Sequence, residues 1–69
     1  MENGELEEAQ SHLMEALSIE SDNTKIMSNL GFLELKMGNT LQAQKYFETV
    51  LEIDANDVLA KQALEQLNA

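Results

Sequence analysis

Thr24 to Asp57, TKIMSNLGFLELKMGNTLQAQKYFETVLEIDAND, holds two apolar stripes at helical spacing on either side of one polar corner. Ile26, Met27, Leu30, Leu33 and Met37 recur at three- and four-residue steps, and Ala43, Phe47, Val50 and Leu51 do so again. Between them lies Gly38-Asn39-Thr40. Gly38 suits the left-handed conformation that ends a helix, and Asn39 followed three residues later by Gln42 resembles a capping box. The pattern continues outward. Upstream run Leu6, Ala9, Leu13, Ala16 and Leu17; downstream run Ala60, Ala63, Leu64 and Leu67. The joining segments Ser21-Asp22-Asn23-Thr24 and Asp54-Ala55-Asn56-Asp57 are rich in short polar side chains that cap free amides. With no proline and three glycines, the chain predicts helices at about 5–19, 24–37, 40–53 and 57–68. Corners this short make sequential helices antiparallel neighbours, so the expected fold class is all-α, built of helical hairpins.

A shift of 34 residues superposes the chain on itself. It lays Gly4 on Gly38, Ala9 on Ala43, Gln10 on Gln44, Leu17 on Leu51 and Ile19 on Ile53, with Leu13 opposite Phe47. It also lays Leu30 on Leu64 and Leu33 on Leu67. The matching positions are the small, apolar and turn residues that a repeated packing geometry requires.

Asn29-Leu30-Gly31, Gly38, Ala43, Tyr46-Phe47 and the run Leu51-Glu52-Ile53-Asp54 together resemble a tetratricopeptide repeat. Met27, Glu34, Val50 and Ala55 depart from it, standing where a large aromatic, a tyrosine, an alanine and a proline are common. The resemblance implies one domain over 1–69: the second half of a repeat at 4–23, a full repeat at 24–57, and at 58–69 the first helix of a following repeat or a capping helix. It implies that the Leu-Gly pair lets two helices approach closely where Ala43 crosses beneath them, an α-solenoid arrangement. It further implies a non-catalytic protein-interaction module whose concave wall holds a peptide or partner helix. On this chain that wall would carry Lys25, Ser28, Asn29, Phe32, Leu35 and Lys36, continued by Leu59, Gln62 and Gln66. Phe32 and Leu35 exceed what the core stripe of their helix needs, so they either pack on the fourth helix or face a ligand. Of the lysine, arginine and asparagine clamp with which some relatives grip a terminal carboxylate, only Asn29 is matched.

A solenoid unit cannot bury its apolar stripe alone. Leu6, Leu13 and Leu17, without a partner helix ahead of them, are expected to pack on a second copy, giving a homodimer, unless these residues belong to a longer array or scaffold.

Thirteen acidic residues against four lysines give a net charge of −9, which opposes binding to nucleic acid or to an anionic membrane. The overall sign points to a partner with basic residues, or to plain solvation. No apolar stretch is long enough to span a bilayer, and the acidic Met1–Glu8 start is the opposite of a signal peptide, so the expected location is cytoplasmic. The chain has no cysteine and a single histidine, His12, so neither a metal site nor a cofactor is expected. His12 has Glu8 and Glu15 within a turn but no nucleophile to activate, and no enzyme is expected. Asp54 begins a run like a calcium loop, but Val58 occupies a ligand position and Leu59 stands where that loop turns on glycine.

Overall fold

A computed structural model describes residues 3–68; Met1, Glu2 and Ala69 at the ends of the expected domain lie outside the described residues. Four helices follow in order: α1 (Asn3–Ile19), α2 (Thr24–Lys36), α3 (Thr40–Ile53) and α4 (Val58–Leu67). Their ends fall within two residues of those read from the apolar periodicity.

Short polar side chains close the first and third corners. Asn23 Oδ1 accepts the Ile26 N–H at 3.1 Å, and Asp57 Oδ1 accepts the Ala60 N–H at 2.9 Å, each satisfying an amide that the helix start leaves free. The second corner is made by the backbone. Gly38, at φ 83°, donates its N–H to Leu35 O at 3.1 Å, while the Asn39 N–H reaches Glu34 O at 2.8 Å. This crossed pair is the Schellman ending of a helix, and it needs a residue without Cβ at its left-handed position.

The expected capping box at Asn39 and Gln42 does not form. Asn39 Nδ2 instead donates to Glu34 Oε1 at 2.8 Å. A buried carboxylate has no water to serve it, whereas an exposed helix start does, so the amide goes where its absence would cost more.

Consecutive helices pack as neighbours, α1 on α2, α2 on α3 and α3 on α4, in antiparallel hairpins. The Cα envelope measures 34 × 30 × 15 Å, a thin slab rather than a sphere. Its core gathers Met27 from α2, Ala43, Phe47 and Val50 from α3, and Ala60 and Ala63 from α4. Leu17, Leu35, Tyr46, Leu51, Leu64 and Leu67 pack against its edge. Gly31 sets the closest approach: a Cβ built there would fall 2.6 Å from Cζ of Phe47. Phe47 and Ala43 are fully buried, so α2 nests on α3 through one glycine, one alanine and one ring. Of the methionines on these helices, Met27 is buried in the core, Met37 at the end of α2 is half-buried, and Met14 is 50% exposed. Met14 lies on α1, which among its described residues buries no side chain fully.

Candidate partner-binding surface

The helical repeat of α2 divides its residues between two duties. Met27, Leu30, Gly31, Leu33 and Glu34 are buried. Lys25, Asn29, Phe32 and Lys36, spaced by four, three and four residues, form one exposed line on the opposite side.

Two hollows adjoin that line. The larger, about 370 Å³, lies between the starts of α2 and α4 and is lined by Thr24, Lys25, Ser28, Asn29, Asp57 and Leu59. The smaller, about 190 Å³, lies between α1 and the second half of α2 and is lined by Ala9, Leu13, Asn29, Phe32, Leu33 and Lys36. Asn29 borders both and so stands between them on α2.

Among the residues expected on the concave wall, Lys25, Ser28, Asn29 and Leu59 come together in the first hollow, while Phe32 and Lys36 join Asn29 in the second. Ser28 is buried and forms the first hollow's floor. Gln62 and Gln66 are exposed on α4 but line neither hollow. The two apolar residues left open by the sequence divide. Leu35 packs against the core cluster. Phe32 stays 39% exposed, its ring edge-on to Phe47 with centroids 5.0 Å apart. Its inner edge thus meets α3.

Leu6, Leu13 and Leu17, expected at a self-association face, are all half-buried. Leu17 is engaged by the core cluster and Leu13 faces the second hollow.

The periodicity did not reveal the polar knot beside this surface. Glu34 is 2% exposed, yet both its oxygens are served: Oε2 accepts from Gln10 Nε2 of α1 at 2.7 Å and Oε1 from Asn39 Nδ2 at 2.8 Å. One carboxylate therefore ties α1, α2 and the α2–α3 corner together. Tyr46 of α3 lies close by, and its hydroxyl is pushed above the ordinary tyrosine value, first by burial and then by the Glu34 charge. The available signal was Glu34 itself, a charged residue inside an apolar stripe.

His12 is exposed on α1, and among the described residues no three histidine, cysteine or acidic side chains group as a metal site would require. No described helix is long and apolar enough to cross a membrane.

A glycine-mediated helical hairpin, a further helix on each side and a 34-residue period are features of one repeat family, and its family model, described as tetratricopeptide repeat, matches residues 1–67. The chain belongs to the tetratricopeptide repeat family. Tetratricopeptide repeats generally mediate protein–protein interaction and act as non-catalytic scaffolds. No curated protein and no solved structure matches the chain.

Proposed function

We propose that this tetratricopeptide-repeat chain is a non-catalytic interaction module that receives a peptide or partner helix along α2, with α4 extending the wall. The observation that carries this reading is a pair of neighbouring hollows along α2 that share Asn29, the second of them lined by an aromatic ring that is only partly covered. An apolar ring held in place by Phe47 from behind offers contact area at little entropic cost to a partner. Lys25, Ser28, Asn29, Phe32, Lys36 and Leu59 make up the receiving surface, and Gln62 and Gln66 its outer margin. The cytoplasm suits a chain of net charge −9 working as a soluble adaptor.

A photo-crosslinking side chain placed at position 32 tests the reading, with Glu48, exposed on α3, as the control position. Adducts to a partner protein should form from position 32 and not from 48, with both variants melting as the parent does. Equal labelling from the two positions, or labelling from 48 alone, would leave the alternative of a structural scaffold segment without a ligand of its own.

A further inference from the structure

The succession of antiparallel helices gathers the ends of α1 and α3 and the starts of α2 and α4 on one edge of the slab. Three large apolar side chains stand exposed there: Ile19, 77% exposed at the end of α1, Ile53, 49% at the end of α3, and Val58, 60% at the start of α4. Ile19 and Ile53 are equivalents in the 34-residue period, so the uncovered aliphatic side chain recurs with the fold. None of the three lines either hollow beside α2. Both α1 and α3 pack on α2. Axes of packed helices lie about 8–10 Å apart, which places the ends bearing the two isoleucines no more than about 20 Å from each other.

Glu20, Asp22, Glu52, Asp54 and Asp57 share this edge with one cation, Lys25. Their hydrogen bonds leave the charges in place: Glu20 Oε1 accepts from Asn23 Nδ2 at 2.9 Å, Asp54 Oδ1 from the Asn56 N–H at 3.1 Å, and Asp57 Oδ1 from the Ala60 N–H. A glutamine or an asparagine oxygen would accept the first two bonds as well, so the corners do not require the charge. Two helix starts and two helix ends meet here, their partial charges of about half a unit offset one another, and the side chains set the sign. Glu20 and Asp54 also follow directly on the ends of α1 and α3, where a helix dipole favours cations, and neither helix has a basic residue in its last turn. Metal binding does not account for them, since among the described residues no three acids group as a site. A second copy, itself at net charge −9, would bring like charge to this edge.

We propose that this edge docks a cationic amphipathic helix of another protein, its aliphatic stripe on Ile19, Ile53 and Val58 and its lysines or arginines facing Glu20, Asp22, Glu52 and Asp54. A helix of about fourteen residues is about 20 Å long and covers both isoleucines. Covering the three aliphatic side chains supplies affinity, and the acids beside them set the partner's sign and speed its approach. The edge is separate from the receiving surface along α2, so each reading stands or falls by itself.

Fluorescence anisotropy with three labelled peptides of about sixteen residues, blocked at both ends, tests it. The first is a helix of leucines and lysines with one aliphatic stripe, the second has the same composition scrambled to destroy the stripe, and the third is the first with glutamate for lysine. The striped basic peptide should bind at least about tenfold more tightly than the scrambled one and weaken as salt rises, while the acidic peptide should not bind. Joint replacement by Ile19→Ser and Ile53→Ser should weaken the striped peptide by about tenfold or more, with the melt unchanged because both side chains are exposed. Glu20→Gln and Asp54→Asn should each weaken it by about two- to fivefold, as exposed ion pairs do, whereas Glu7→Gln and Glu65→Gln, exposed toward the opposite edge, should leave it unchanged. Equal weakening by all four acid replacements would reduce the binding to attraction by net charge and overturn the proposal. So would equal binding of the striped and scrambled peptides, binding indifferent to the isoleucine pair, or no binding at all. Loss of binding on Phe32→Ala but not on the isoleucine replacements would move the peptide to α2 and overturn it too.

Discussion

The α2–α3 hairpin and α1 are made from similar residues and held by different physics. In the hairpin, Gly31 brings two helix backbones together over Phe47, and Ala43, Phe47 and Val50 lose all contact with water. On α1 the equivalents of Ala43 and Phe47, 34 residues earlier, are Ala9 and Leu13, and both remain half-buried beside an open hollow. The longest helix of the chain is thus the one with no fully buried described side chain. Its most specific tie is polar, Gln10 to Glu34. Burial on one side only leaves a helix docked but cheap to release, whereas burial between two helices makes it part of the cooperative core.

The largest expected effect separates the two regions directly. Phe47→Ala removes a fully buried ring and should cost about 3–5 kcal/mol. For a chain of 69 residues, whose whole stability is about 3–10 kcal/mol, this should abolish or nearly abolish the cooperative melt followed by circular dichroism. Leu13→Ala, at the equivalent site on α1, should cost less than half as much. Equal costs would mean that α1 belongs to the core after all.

Next in size is Glu34→Leu, which leaves the Gln10 and Asn39 amides without their acceptor and should cost about 1–3 kcal/mol. Its signature is spatial. Hydrogen exchange should accelerate in α1 well before it does in α3, and uniform acceleration would show that the carboxylate supports the whole array rather than the docking of one helix.

Gly31→Ala gains up to about 1 kcal/mol of helix propensity but forces a methyl into the Phe47 ring, an overpacking cost of about 1–3 kcal/mol. A net loss of about 1 kcal/mol, or a melting point lower by about 4–8 °C, is expected. A more stable variant would mean that the ring swings outward beside Phe32 without penalty.

The smallest effect is at alkaline pH. Burial and Glu34 raise the Tyr46 hydroxyl above 10.0, so the neutral form is favoured more in the folded than in the unfolded chain. That contribution is complete below the unfolded tyrosine value and is lost as pH rises through the folded one. Tyr46→Phe should therefore flatten the fall in melting temperature above about pH 10, and an identical alkaline fall in both proteins would remove Tyr46 from the account.

Much of this was legible in the residues. Caps at Asn23 and Asp57, the left-handed Gly38 and the Gly31 approach all depend on local chemistry that short motifs encode. The polar knot was not, because Gln10, Glu34 and Asn39 lie in three separate segments and only packing makes them neighbours. For the same reason Asn39 looked like a cap and Leu35 like a possible ligand contact: each side chain had two destinations within reach, and the more costly vacancy was filled first.

By itself, the order of residues determined that this chain makes helices, where they end, and that they repeat every 34 positions, since all three follow from propensity, capping and periodicity along the backbone. The tertiary structure decided that Glu34 would be buried and Phe32 half-uncovered, and that hollows would open on either side of Asn29. Those outcomes depend on which faces meet across space, and no spacing along a single helix contains that information.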